Sequence, residues 1–409
     1  MTADLTSYDP ALKQIYTSDH VEDMTYKDRP FYALIPKKKI FGGKNLPIPI
    51  VYGNPQGRSK TFSNAQARSL LTQSNMTDFV LTRVRDYSLA TIDNETMLAS
   101  KGDKASFLDA AETEMDGAYN SLANSWSAGF YRGSDAALAQ VLAEPTENSS
   151  TFVLTVKKAA DIAHFEVGQM LVIYSAKSGG SIRTSDGSDD EWEVAAVDRS
   201  AGTITVTGTY DSSGTIAAND YMFIEGDRGL GPSGLEDWIP ASAPTSSSYF
   251  GVDRSVDPTR LGGHRLSGTG GPIEEVLAEA SSMVDNLGFQ LDHFFMPFAK
   301  LLELKNSLGS KVQYVNLQAN PRVSFQGVMI DGSKGPIKCV ADKDCPGDRI
   351  FGVELKYWSC YSLGEPIRVL SPDGIKWLRQ ASADGAEVRL GGYLQVGCRA
   401  PGSAINIQV

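Results

Sequence analysis

The chain is poor in the residues that usually do chemistry. It has four histidines, His20, His164, His264 and His293, scattered with no i, i+4 pair among them. No HExxH occurs, which argues against a helix-borne zinc hydrolase. A GxSxG elbow, a P-loop and an SxxK pair are missing too. No stretch supplies a nucleophile, a base and an oxyanion site together. Cysteine is limited to Cys339, Cys345, Cys360 and Cys398, with no CxxC pair. That pattern reads as buried free thiols in a reducing compartment rather than a zinc site. No apolar run reaches the roughly 18 residues that a membrane helix needs. The opening MTADLTSYDP has neither a basic n-region nor an apolar core, so no secretory signal is read there.

What is present is globular. The 409 residues are 41% hydrophobic and 21% charged, with a net charge of -11. That length allows two or three domains and a large core. The charge argues against a protein that coats nucleic acid along its whole surface, though not against one basic face.

The stretch Lys104 to Arg132 organises the rest. Leu108, Ala111, Met115, Tyr119, Leu122, Trp126 and Phe130 recur in steps of three and four, a helical period throughout. Asp109, Glu112, Asp116, Asn120 and Asn124 take the opposite face, so that face is wet or lies at a polar contact. Asp103 or Ser106 caps the start and Gly133 stands at the stop. At 1.5 Å per residue the helix is roughly 43 Å long, long enough to act as a spine.

Before the spine, residues 1–40 are mixed and polar, with a basic PKKK at Pro36 to Lys39. They read as an arm ordered against something else. Residues 41–92 change character. The Gly and Pro punctuation of FGGKNLPIPIVYGNPQGRSKTFSN predicts an open loop without helix. FVLTRVRDYSLATI, from Phe79 to Ile92, reads as a strand pair or one bent strand. A projection carrying Ile48, Ile50, Val51 and Tyr52 suits a surface that lies on a neighbour.

After the spine, residues 145–227 alternate short strands with turn signals, as a small barrel or sandwich does. Mixed sequence resumes beyond them, so they read as an inserted domain. Pro272 opens a second helix with Ile273, Val276, Leu277, Ala280, Met283, Val284 and Leu287 on one stripe and Gly288 at its stop. A third helix, Pro297 to Leu308, carries Phe298, Leu301, Leu302 and Leu308 on one side. From 310 onward strands dominate, with a short helix expected around Asp373 to Arg379.

GLGPSG at Gly229 to Gly234 matches GxGxxG, but Pro240 and Pro244 leave no room for the helix that a dinucleotide needs. It reads as an interdomain turn. Asp342, Asp344 and Asp348, and likewise Asp186, Asp189, Asp190 and Glu191, are closely spaced acids. Neither set fits a twelve-residue calcium loop, and both read as solvated acidic loops. No catalytic, cofactor-binding or metal-binding residue is assigned.

This order of parts resembles the major capsid proteins of tailed bacteriophages, the Hong Kong 97-type fold. GDRGLGPSGLEDWIP followed by YFGVDRSVDPTRLGGHR is similar to the passage from inserted to helical domain in those proteins. The run from Pro272 through DHFFMPFAKLLELKNSLGSKVQY and the ending DGIKWLRQASADGAEVRLGGYLQVGCRAPGSAINIQV are similar in the same way. The likeness spans nearly the whole chain and rests on part order and texture, with no invariant motif to anchor it.

The resemblance implies an α+β fold with a long spine helix, an extended loop, axial and peripheral domains, and a small all-β insert. Residues 1–40 would be the N-terminal arm and 41–92 the extended loop, lying on the next subunit. Residues 93–134 would be the peripheral domain with its spine, and 145–227 the β-barrel-like insert. Residues 235–375 would be the axial domain and 376–409 the return to the peripheral domain. The implied function is a self-assembling head protein, not an enzyme, without cofactor or metal. It would form pentamers and hexamers of an icosahedral virion shell around double-stranded DNA, and assemble in the host cytoplasm. Implied partners are sister copies, scaffolding, portal and decoration proteins, and weakly bound packaged DNA, with no membrane. Some members crosslink a loop lysine to a neighbour's asparagine, and Lys44 and Lys60 lie in that region. The alternative is another β-rich virion protein of the tail or decoration, then a carbohydrate-acting enzyme or an adhesin.

Overall fold

The structure is a computed structural model. It describes residues 28–95, 110–309, 313–320, 323–371, 374, 377–380 and 384–409. Most of the expected arm, His20, and the expected start of the spine at 103–109 lie outside the described residues, as does most of the expected helix near 373.

The first described helix, α1 (Pro30–Leu34), opens on a proline, the residue whose missing N–H costs nothing in a first turn. It buries Phe31 against Phe130, Tyr131 and Phe295, with ring centroids 6.3, 5.2 and 5.0 Å away. Strand β1 (Lys37–Lys38) then runs parallel to residues Cys360 and Tyr361. Strands β2 (Asn45–Gly53) and β3 (Asn75–Thr82) pair antiparallel as a long hairpin. On β2 the side chains alternate: Ile48 and Ile50 are buried while Pro47, Pro49 and Val51 are exposed. β2 has one partner strand, the edge position in which proline is tolerated.

The far end of the hairpin corrects the expectation of a helix-free loop. Residues Phe62–Ser69 form α2. The Gly and Pro punctuation stops at Gly57, and RSKTFSNAQARS contains neither breaker, so the local propensity for helix prevails.

After Arg83 the chain breaks from β3 into β4 (Val84–Asp93), so Phe79 to Ile92 belongs to two strands. β4 pairs along nearly its whole length with β22 (Gly385–Cys398). On the other flank of β22 lie β19 (Trp358–Ser362), β20 (Arg368–Val369) and β21 (Leu378–Arg379) in succession. The spine, α3 (Ala110–Tyr131), packs on this sheet. Its 22 described residues span about 33 Å. It buries Ala118, Leu122, Ala123, Trp126, Phe130 and Tyr131. Tyr119, expected on that stripe, is 47% exposed, and Ala118 takes the inward place. On the polar face, Arg29 donates from Nε to Asn124 Oδ1 at 3.0 Å and from Nη2 to the Asn120 carbonyl at 3.2 Å.

A six-stranded unit follows, ordered β5 (Ala139–Gln140), β10 (Tyr221–Ile224), β7 (Met170–Tyr174), β8 (Glu191–Asp198), β9 (Thr203–Thr207) and β6 (Thr151–Thr155). An antiparallel bridge between Val141 and Val156 joins the first strand to the last, closing the sheet on itself. Its strands start at Ala139, ahead of the boundary at 145 drawn from turn signals. The interior is its own core of Phe152, Leu154, Trp192, Ile204, Val206 and neighbours.

The chain leaves through α4 (Leu235–Trp238) and the short pair β11 (Ser248–Tyr249) and β12 (Val252–Asp253). A seven-stranded sheet comes next. It is ordered β13 (His264–Ser267), β23 (Ile405–Gln408), β18 (Arg349–Val353), β14 (His293–Met296), β17 (Gly335–Ala341), β16 (Val323–Gly332) and β15 (Gln313–Asn320). Helices α5 (Ile273–Asp285) and α6 (Phe298–Leu308) pack on it. α5 buries Ile273, Val276, Leu277, Ala280 and Val284. On α6 the expected stripe is only half right: Leu301 is buried, but Phe298 and Leu302 are 54% and 59% exposed. The final strands also divide. β22 lies with β4, whereas β23 crosses to pair with β13 and β18, so 376–409 serve two sheets. Ile405 and Ile407 are fully buried there among side chains of 273–350, and that burial holds the chain's end in the second sheet.

Candidate intersubunit surface and a buried acid junction

The hairpin has two ends with opposite surroundings. At the base, Ile48, Ile50, Phe79 and Leu81 join the main core with Trp238 and Trp358. Phe79 meets Trp238 edge-on at 4.9 Å between centroids. Arg260 ties the base further by donating from Nη1 to the Tyr52 carbonyl at 2.8 Å. Beside that bond, a cleft of about 400 Å³ lies between Pro49–Asn54 and Phe289, Arg399 and Gly402.

Beyond Gly53 no residue up to Ser74 is buried among the described residues. No residue of α2 is buried. Phe62, Leu70, Leu71 and Met76 are 83%, 83%, 85% and 69% exposed. Isolated exposed leucines are ordinary, but large side chains grouped on one projection mark a contact surface. Arg58, Lys60 and Arg68 stand exposed among them.

The acids at 342–348 correct the sequence reading. Asp342 and Asp344 are fully buried, not solvated. Asp342 Oδ2 accepts from the Phe31 amide at 3.2 Å and the Tyr131 hydroxyl at 2.9 Å, and Oδ1 from the Asp344 amide at 3.0 Å. Asp344 accepts from the Ser127 hydroxyl and, at 2.8 Å, from Lys343 Nζ. His164 Nδ1, from the closed β unit, lies 3.6 Å from Asp344 Oδ1. A buried carboxylate is retained only if its lone pairs are filled, and here separate chain segments converge to fill them. Burial first, then the neighbouring Asp344, pushes the Asp342 carboxyl up to about 7. Burial, with Arg132 and Lys343 adding to it, holds the His164 imidazole well below its ordinary value and therefore neutral.

Around this junction, Arg132 at the end of the spine bonds Asp161 at 3.0 Å, both nearly inaccessible. Lys158 bonds Asp348 at 2.6 Å. These pairs lock the closed β unit to the spine and the seven-stranded sheet. Gly234 completes the seam. Its amide donates to the Arg132 carbonyl at 2.9 Å, and a Cβ there would collide with the carbonyls of Gly129, Phe130 and Arg132. GLGPSG is thus a close-packed return turn laid on the end of the spine.

The remaining flagged residues stay apart. His264 and His293 are buried in β13 and β14. All four cysteines are buried and free, and burial raises the thiols of Cys339, Cys345, Cys360 and Cys398. Asp186 sits in an exposed turn, accepting from the Ser188 and Asp189 amides at 2.9 and 2.8 Å. Among the described residues, no group of three or more His, Cys, Asp and Glu is placed to hold a metal ion. Among them, too, no helix is long and apolar enough to cross a membrane. Sequence reasoning missed the acid junction and the tip helix. Asp342 follows directly on the apolar run Cys339 to Ala341, which was the available signal.

No protein-family model matches the chain, and no curated protein matches it in sequence. Solved structures do match. The capsid asymmetric unit of cyanophage A-1(L) aligns at a TM-score of 0.54 with 12% identity over 95% of both chains. The holo-SrpI encapsulin complex of Synechococcus elongatus aligns at 0.48 with 8% identity, over 100% of this chain and 95% of that one. A Mycobacterium phage Ogopogo structure aligns at 0.46 with 7% identity, over 95% and 96%.

Proposed function

The chain has the Hong Kong 97-type capsid fold, and on that premise we propose that it is the major head protein of a tailed bacteriophage. It builds pentamers and hexamers of an icosahedral shell, assembles in the host cytoplasm, and encloses double-stranded DNA. The observation that carries this reading is the hairpin, whose base is locked in the subunit core while its apolar tip stands clear. A solitary molecule gains nothing from Phe62, Leu70 and Leu71 in water. A shell subunit does, because its sisters cover them.

In this reading the extended loop expected over residues 41–92 is the β2–β3 hairpin, whose tip lies on the next subunit, while β4 joins the β22 sheet. α3 and the β22 sheet form the peripheral domain, the seven-stranded sheet with α5 and α6 forms the axial domain, and the closed β unit is an insert between them. Scaffolding, portal and decoration proteins are the further partners. DNA contact is weak and non-specific, in keeping with a net charge of -11. No step of this function requires a catalytic residue.

The test is microscopy and sedimentation of the expressed chain with the structural proteins encoded beside it. Closed shells or capsomers are the expected product. A stable monomer or a small closed oligomer under all assembly conditions sinks the reading.

A further inference from the structure

We infer that the hairpin tip is a cation-bearing apolar plug that seats on an acidic face of a second copy of this chain. The inference rests on the shell reading above and adds the chemistry of the contact. Charge is sharply segregated along the sequence. No Asp or Glu occurs between Asp28 and Asp78, while eight Lys and Arg do. The remaining sequence holds 30 of the 38 basic residues and all 49 acids, a balance of -19.

The tip, residues 54–74, shares this asymmetry, with three of the eight cations and no acid. Arg58, Lys60 and Arg68 are exposed there, and none has an ion-pair partner among the described residues. Elsewhere many cations are paired, as Lys177 is with Glu236 at 3.0 Å, Arg183 with Asp220 at 2.8 Å and Lys300 with Glu303 at 2.9 Å, and others such as Arg254, Arg265 and Arg399 donate to backbone carbonyls. A projection stripped of carboxylates and interleaved with Phe62, Leu70, Leu71 and Met76 matches a partner that is apolar at its centre and acidic at its rim. The rest of a second copy supplies such carboxylates, for instance exposed Glu274, Glu275 and Glu279 along α5. Nucleic acid fits less well. A backbone-tracking surface pairs cations with stacking aromatics, whereas this tip offers mainly aliphatic side chains.

The partner's acids also explain why the sign matters. Two subunits of the same negative net charge repel at long range, and a cationic tip reverses that locally within a Debye length of about 10 Å. Arg58 and Arg68 can each hold a carboxylate through two parallel bonds.

The test compares shell assembly of the wild type with a triple variant, Arg58→Glu, Lys60→Glu and Arg68→Glu, before and after nuclease treatment. Light scattering and electron microscopy at 0.1 M and 0.6 M NaCl give the critical concentration. The expected result is at least about a tenfold rise for the variant at low salt, narrowing at high salt, with the subunit's circular dichroism and melting unchanged. A control carrying Arg58→Lys and Arg68→Lys keeps the charge but not the paired bonds, and should assemble between wild type and the reversed variant. Equal assembly of reversed and wild-type chains overturns the inference and leaves the shell reading intact. So does a salt-independent gap, or a gap that nuclease treatment abolishes, which would make nucleic acid the partner. A wild type that never assembles removes the shell reading itself.

Discussion

The Tyr131 hydroxyl donates to Oδ2 of Asp342 at 2.9 Å, with both side chains buried. The spine helix is thereby joined to the loop after β17, and the same oxygen holds the Phe31 amide of α1. Replacing Tyr131 with Phe removes one donor and leaves the carboxyl under-bonded. We expect a loss of about 1–3 kcal/mol in subunit stability. Urea midpoints of wild type and Tyr131→Phe at one pH check it, with unchanged midpoints counting against the junction as a structural tie.

The same carboxyl sets a pH dependence. Its folded value of about 7 lies above the ordinary aspartate value of 3.8. Between those limits the folded chain binds a proton that the unfolded chain has lost, so stability falls as pH rises. Below 3.8 the penalty is absent, and above about 7 it is fully developed. Asp227, raised to about 6 by burial and then by Asp86, acts in the same direction. Asp342→Asn removes the titrating group at the expense of the bond from the Asp344 amide. The variant should therefore show a smaller drop in urea midpoint from pH 5 to pH 8 than the wild type. An equal drop would assign the slope to other groups.

The fold was legible where the pattern was long and periodic. The spine's Leu122, Trp126 and Phe130 face the core as their spacing predicts, and the alternation of Ile405 and Ile407 marks a buried strand. It was less legible where tertiary burial decides. HFFM of β14 is too short to show a period, yet all four side chains are buried at the centre of the second sheet. Asp342 and Asp344 look like solvent residues in a Pro- and Gly-containing loop. Their donors, Phe31, Ser127 and Tyr131, come from more than 200 positions away, and no local pattern carries that. Phe298 and Leu302 fit an apolar stripe but face outward, because hydrophobic spacing fixes a helix face and not what covers it.

Phe79 and Leu71 sit on the same hairpin and should respond oppositely to truncation. Phe79 is fully buried against Trp238 and Tyr249, with centroids 4.9 and 6.3 Å away. Phe79→Ala should destabilise the subunit by about 3–5 kcal/mol through lost burial and the cavity left behind. Leu71 is 85% exposed, so Leu71→Ser should shift subunit stability by less than about 0.5 kcal/mol while lowering shell yield. Thermal melts of the subunit and particle counts by microscopy separate the two effects. A large melt shift in Leu71→Ser would mean that the tip folds onto its own chain.

Gly234 should tolerate no side chain. Its Cβ position is occupied by three carbonyl oxygens of the spine's last turn. Gly234→Ala forces the GLGPSG turn off the helix end and breaks the amide bond to the Arg132 carbonyl. The expected loss is about 1–3 kcal/mol or more, as at an overpacked core site. Leu230 lies in the same turn with its side chain 63% exposed, so Leu230→Ala is the control and should be nearly neutral. Thermal melts of the two variants decide the matter, and comparable losses in both would refute the close-packing account.

The closed β unit should be separable, but not freely. Its entering and leaving strands run side by side, with Ala139 opposite Met222 and the Leu138 amide donating to the Met222 carbonyl at 2.9 Å. A short linker can therefore bridge Ala137 to Ile224 without strain on the spine. The fragment 137–226 keeps its interior core and should unfold cooperatively alone. The excised subunit, however, strips Asp161 from Arg132, a guanidinium only 9% exposed in the full chain, whereas the part-exposed Asp348 keeps Arg349 beside it. An uncompensated charge at Arg132 costs at most about 3–5 kcal/mol, less where water fills the vacated seam, so the excised chain should be less stable by up to that amount. Adding Arg132→Met to it should recover much of the loss, because the charge goes and the side chain's apolar volume stays. If Arg132→Met destabilises the excised chain further, the guanidinium's remaining bond to the Ala137 carbonyl, at 3.1 Å, outweighs the desolvation of its charge.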